Sequence, residues 1–201
     1  MPQSLAGWVL AVLLGLSRPE AGSSLSKPEI GGSWTAVDFT TATCGYLPTV
    51  SLTFSLPPGY VVRNPNHGGQ AGCFWGREAD LNRAFASDRQ LNFANLEHGI
   101  FQTRPTPNMS YDRARRRFDG EKELREVLAE AGIGHIEVVR RSFARHAGLV
   151  ITGQRGDGLE LYMLYLAGDD DDEVLLINYR PATPPNPTDS ATWKRFLDQI
   201  R

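Results

Sequence analysis

Between Val50 and Leu56 the chain alternates: Leu52, Phe54 and Leu56 are apolar, and Ser51, Thr53 and Ser55 are polar. Period two predicts a strand with one face buried. Pro57-Pro58-Gly59 ends that strand, and Tyr60-Val61-Val62 resumes an extended chain. An earlier extended region begins near Trp34. Residues 63–72 hold Pro, Asn and Gly at turn density and predict a loop. Residues 77–92 fit a short helix or a loop. Residues 99–103 read as another strand, closed off by Pro105 and Pro107. A helix follows, with Asp119 as N-cap, Glu121 and Glu123 in the first turn and Gly132 just past its end. Its Leu124, Val127, Leu128 and Ala131 recur at helical spacing and form one apolar stripe.

Three extended runs come next, at 136–143, 149–152 and 159–166. A fourth, at 174–179, is expected to pair with the third across the acidic turn at 168–173. A proline-rich crossing at 181–187 leads to a last helix. That helix starts between Thr188 and Ser190 and presents Trp193, Phe196, Leu197 and Ile200 on one stripe. Successive strands joined by short turns favour antiparallel pairing. Helices are too few to alternate with every strand, which disfavours a doubly wound parallel fold. The expectation is an α+β fold: one twisted antiparallel sheet with a mid-chain helix and a C-terminal helix packed against it. Residues 34–201 form its single domain, with no internal repeat.

Ahead of that domain, Leu5 to Leu16 is an unbroken apolar run. It is too short to span a bilayer, which takes about 20 residues, and matches the h-region of a secretory signal peptide. Cleavage after Ser23 would put Ala21 and Ser23 at the −3 and −1 positions. The n-region carries no Lys or Arg, and a buried N-terminal helix is the competing reading. The expected organisation is a signal peptide at 1–23 and a flexible lead-in at 24–33. The protein is then exported, periplasmic or extracellular, with no membrane span in the mature chain.

Composition narrows the partners. With 21 Lys and Arg against 23 Asp and Glu, the net charge of the 201-residue chain is −2. A near-neutral chain has no general attraction for nucleic acid or an anionic membrane. At 41% hydrophobic and 22% charged, it can build a core. The two cysteines, Cys44 and Cys73, form an even pair, which in an exported protein points to one structural disulfide.

Two resemblances add to this reading. The segment Phe54-Ser55-Leu56-Pro57-Pro58-Gly59-Tyr60, the mid-chain helix, the closing strands and the last helix with Trp193 resemble the PsbP-like fold. That group includes a photosystem extrinsic subunit and bacterial periplasmic relatives, mostly binding or accessory proteins. Separately, Gly72-Cys73-Phe74-Trp75-Gly76-Arg77-Glu78 resembles the active-site motif of the A-type peptide methionine sulfoxide reductases. That resemblance implies Cys73 as nucleophile, Glu78 as acid, Phe74 and Trp75 as pocket walls and Cys44 as resolving thiol. A thiolate attacks only if its surroundings lower its pKa, and the departing oxygen needs an acid within reach. Gly134-His135-Ile136-Glu137 is similar to a second strand of that family. In place of the family's apolar strand before Gly-Cys stands the loop-like Asn66-His67-Gly68-Gly69-Gln70-Ala71.

The remaining signals read as structure. Asp169 to Asp172 with Glu173 lack the spaced ligands of a calcium loop and predict a solvated hairpin tip. Arg113, Arg115, Arg116 and Arg117 are balanced by Asp112, Asp119, Glu121 and Glu123. His67, His98, His135 and His146 show no metal spacing. Gly68 to Gly72 lacks the Lys-Ser/Thr of a phosphate loop. Asn108-Met109-Ser110 is a glycosylation sequon in a eukaryotic setting. The reading is a non-catalytic exported protein binding a protein or small-molecule partner, without cofactor or metal, through a surface near Tyr60, Trp75 and Tyr179. The competing readings are the thiol-dependent reductase using Cys73, and a protein that only packs within an envelope assembly.

Overall fold

Four consecutive strands build one half of the main sheet. In the computed structural model they are strands β8 (Ile133–Phe143), β9 (His146–Arg155), β10 (Glu160–Ala167) and β11 (Val174–Arg180). The structure describes residues 32–44, 50–64, 72–86, 91–93, 95–106, 108–169 and 172–201. The leader at 1–23, most of the lead-in, the turn-rich stretch with His67, and Asp170 and Asp171 lie outside them. Three earlier strands complete a seven-stranded sheet: β3 (Tyr60–Arg63), β4 (Cys73–Arg77) and β5 (Ile100–Pro105). The order is β3-β4-β5-β11-β10-β9-β8, and every pair is antiparallel. The expected α+β class and antiparallel sheet are what the molecule shows.

Strands β10 and β11 are buried along nearly their whole length. A strand covered on both faces needs no alternation, so both sequences read as continuous apolar runs. The outer strand β8 faces water and carries charged residues such as Arg140 and Arg141. Charge on an edge discourages pairing with another chain.

One face of the sheet is covered by a two-stranded ribbon, β1 (Thr35–Thr40) and β2 (Ser51–Leu56), and by the last helix. The ribbon adds a covering layer to the expected antiparallel sheet. Leu52, Phe54 and Leu56 point into the core from a separate layer instead of extending an edge. Ring centroids of Phe54 lie 5.5 Å from Trp75 and 5.4 Å from Phe196, while Phe101 lies 4.5 Å from Phe196. Aromatic pairs at such spacings add about 0.5–1.5 kcal/mol each beyond buried area. A disulfide joins Cys44, in a single 3-10 turn after β1, to Cys73 at the start of β4, with Cα atoms 5.6 Å apart. The chain's end also holds the ribbon: Thr53 and Arg201 exchange backbone hydrogen bonds of 3.0 and 2.8 Å.

The other face is covered by helices α1 (Glu78–Ala84) and α2 (Glu121–Glu130) and by a short hairpin, β6 (Ser110–Asp112) with β7 (Arg117–Asp119). Thus the ambiguous stretch at 77–92 opens with a helix. Asp119 does not cap α2. It ends β7 and pairs with Arg117, and Gly120 takes the cap position with φ 99°. A side chain there would strike the Asn108 carbonyl, so only glycine fits the turn. Gly132, with φ 79°, follows the helix as expected. Helix α3 (Asp189–Asp198) buries Trp193, Phe196 and Leu197.

The disulfide closes a chain separation of 29 residues. Replacing both cysteines by serine is expected to lower the unfolding free energy by about 3–4 kcal/mol in the chain-entropy account. Urea unfolding of oxidised protein beside the double variant checks this. Coincident midpoints would show that the link contributes nothing to stability.

Candidate functional site

The residues of the Gly72–Glu78 segment separate because strand side chains alternate between faces. Cys73 and Trp75, each 3% exposed, belong to the cluster beneath the ribbon. Phe74 points the other way, among Leu81, Phe93 and Ile100. Glu78 opens α1 and is exposed. The structure brings Cys44 and Cys73 together as a disulfide. It does not bring Phe74 and Trp75 together as walls of one pocket. His135, at φ 50°, and Glu137 are exposed on the β8 edge beside a register shift.

A cleft of about 70 Å³ lies where the ribbon, the sheet edge and the start of α3 meet. Trp34, Pro57 and Pro58 supply its apolar wall. Tyr60 and Arg77, which are register partners on β3 and β4, reach it from the sheet. Tyr179 and Asp189 close the far side. Two of the three expected contact residues, Tyr60 and Tyr179, therefore line one cavity. Trp75 is the correction: it is buried in the aromatic cluster and offers no surface.

The polar groups of the cleft hold one another. Tyr60 donates from its hydroxyl to the Gly99 carbonyl at 2.6 Å. Tyr179 donates to Asp189 Oδ1 at 2.5 Å, and the Asn186 backbone N–H donates to Oδ2 at 2.7 Å. Burial pushes both phenols far above their ordinary range, and the Asp189 carboxylate adds to that for each. Both hydroxyls are therefore donors at any physiological pH. Burial also raises the Asp189 carboxyl, against the lowering effect of the bonds from Tyr179 and Asn186.

Beneath the cleft lies a second carboxylate, Asp80 on α1, only 1% exposed. Its Oδ1 accepts from the Glu97 N–H at 2.9 Å and from Arg83 Nη1 at 3.1 Å. Its Oδ2 accepts from the His98 N–H at 3.2 Å and lies 3.1 Å from His98 Nδ1. A buried carboxylate in that place fixes the ring and leaves Nε2 as the nitrogen open to a ligand. Arg83 also binds Glu97, at 2.5 Å. Arg77 differs from its neighbours: its Nε is buried in the cleft region with no hydrogen-bond partner.

Sequence reasoning missed Arg77, Asp80, His98 and Asp189 as a group. Arg77 and Asp80 are close in the chain, but His98 and Asp189 are far from them, and the i,i+3 spacing of Asp80 and Arg83 is a local signal of an ion pair alone. Elsewhere the charges pair locally. Arg115 bonds Asp112, and Arg145 grips Asp169 through two bonds of 3.0 and 2.8 Å. His146 is buried, with its ring nitrogens facing the carbonyls of Ala167 and Ser51. Among the described residues, no three His, Cys, Asp or Glu side chains stand together as metal ligands. Nor is any described helix long and apolar enough to cross a membrane. Set against known proteins, the chain matches no protein-family model and no curated protein.

A carboxyl whose pKa is raised on folding stabilises the fold most when protonated. Its contribution is present below the ordinary aspartate value and is lost as pH rises through the raised value. Asp189→Asn removes this dependence. The variant is expected to gain stability relative to the wild type as pH rises from about 4 to about 7. Urea midpoints across that range are the measurement, and a difference that stays constant would contradict it.

Proposed function

We propose that the protein is an exported, non-catalytic binding protein whose cleft beside Trp34 takes a small ligand bearing a carboxylate. The Arg77 guanidinium carries this reading. Tyr60, Tyr179, Asp80 and Asp189 spend their hydrogen bonds on the protein itself. The acids of the cleft turn toward internal donors: Asp189 to Tyr179 and Asn186, Glu97 to Arg83. Arg77 Nε, by contrast, has no partner. A guanidinium matches a carboxylate through paired N–H donors. Trp34, Pro57 and Pro58 would cover the apolar part of such a ligand. A cavity of about 70 Å³ suits a small molecule or its end group.

Export draws support from the apolar leader and from the disulfide, which persists in oxidising compartments. A binding role also agrees with the PsbP-like resemblance, whose members are mostly accessory or binding proteins. In this reading Cys73 is half of a structural bond and not a nucleophile.

Titration with acetate, succinate and benzoate, followed by tryptophan fluorescence and thermal shift, tests the proposal. At least one acid is expected to bind in the millimolar range or tighter, about −4 kcal/mol or better. Arg77→Ala is expected to abolish the response, and the matching neutral amides should give none. Equal responses from acids and amides, or from wild type and Arg77→Ala, would overturn it.

A further inference from the structure

The Asp80 carboxylate decides what His98 can offer a ligand. Asp80 is buried on α1, and its oxygens accept from the backbone N–H groups of Glu97 and His98 and from Arg83. With those donors converging on it, Asp80 acts as an acceptor. The ring nitrogen 3.1 Å from its Oδ2, Nδ1 of His98, must therefore bring the proton. A neutral imidazole carries one N–H. With that proton on Nδ1, the other nitrogen, Nε2, is left as a bare lone pair.

His98 and Arg77 line the same cavity of about 70 Å³. Tyr60 ties them together. Arg77 is its register partner on β4, and its hydroxyl donates to the carbonyl of Gly99, the residue after His98. Gly99 keeps that junction tight, because a side chain there would strike the Tyr179 hydroxyl.

The two residues ask for opposite groups. Arg77 brings N–H donors and a positive charge, which suit a carboxylate. The Nε2 lone pair suits a donor, and the acids that share the cavity, Asp189 and Glu97, favour a donor as well. A ligand that was all acceptor would set a lone pair against Nε2. One that was apolar beyond its carboxylate would shield Nε2 from water and leave it unpaired, which costs free energy.

We propose that the ligand of the cleft is a short acid with a hydrogen-bond donor, a hydroxyl or an ammonium, within a few bonds of its carboxylate. Arg77 takes the carboxylate, and Nε2 of neutral His98 accepts from the donor. The cavity sets the spacing, since about 70 Å³ admits only a few heavy atoms. His98 thereby sets specificity, and Asp80 positions it by fixing where the ring proton sits. His98 has this role only if Arg77 takes a carboxylate, so the second group rests on the first.

Calorimetric titration of the disulfide-intact protein at pH 8 with lactate, 3-hydroxypropionate and alanine, beside propionate, is the test. Propionate has the same skeleton and no donor. At least one of the other three is expected to bind about threefold to tenfold tighter than propionate, the worth of one net hydrogen bond. Alanine ahead of the hydroxy acids names an ammonium, and the reverse order names a hydroxyl. His98→Leu is expected to erase the preference, and His98→Gln, whose amide oxygen accepts, to keep part of it. Nitrogen NMR of the His98 ring without ligand is expected to find the proton on Nδ1. If His98→Leu does not fold, the wild-type ranking and the ring spectrum decide. Propionate binding as tightly as the other three, with binding lost in Arg77→Ala, would overturn the role of His98 and leave the carboxylate reading standing. A ring proton on Nε2 would do the same. No Arg77-dependent binding of any of the four would overturn both.

Discussion

A two-stranded ribbon is marginal by itself in water, and β1–β2 is held in place first by the apolar sheet beneath it. Phe39, Leu52, Phe54 and Leu56 reach down to Trp75 and to the last helix. Three further ties act at different points along the ribbon. The disulfide fixes the turn after β1 to β4. The backbone pair of Thr53 and Arg201 fixes β2 to the chain's end. The ring of His146 faces the Ser51 carbonyl from β9. The cleft depends on this docking, because Trp34, Pro57 and Pro58 flank the ribbon while Tyr60, Arg77 and Tyr179 belong to the sheet. Lift the ribbon and the cleft loses one wall.

The two faces of the sheet thus do different work. Under the ribbon, aromatic packing and internal hydrogen bonds build a cleft in which Arg77 Nε has no hydrogen-bond partner. On the far face, α1 and α2 cover separate apolar clusters and leave a polar strip between them. Strict alternation along β5 and β11 links the faces: Phe101 and Tyr179 serve one, Gln102 and Arg180 the other. Shifting either strand's register by one residue would exchange these sets and turn Phe101 or Tyr179 out of the aromatic cluster.

Strands whose pattern reports burial directly were legible in the sequence. Leu52, Phe54 and Leu56 alternate and do face the core, and the C-terminal stripe of Trp193, Phe196 and Leu197 is buried as expected. What local pattern cannot express is which layer a strand joins. Alternation at 51–56 fits a sheet edge and a covering ribbon equally well. Asp119 was misread because good capping chemistry stood one residue before a glycine that the turn geometry requires. Trp75 was misread because an aromatic beside a glycine-rich stretch carries no mark of burial. The cleft was only half visible: two tyrosines could be picked out, but Arg77, His98 and Asp189 meet through long-range packing. The Gly72–Glu78 motif shows the opposite hazard, since adjacent aromatics on a strand face away from each other.

Amide hydrogen exchange on oxidised and reduced protein tests the dependence of the cleft on ribbon docking most directly. Reduction of the Cys44–Cys73 bond is expected to lower protection at Ser51–Leu56 and leave β9, β10 and β11 protected. Unchanged protection along β2, or equal loss in β2 and the central strands, would contradict it.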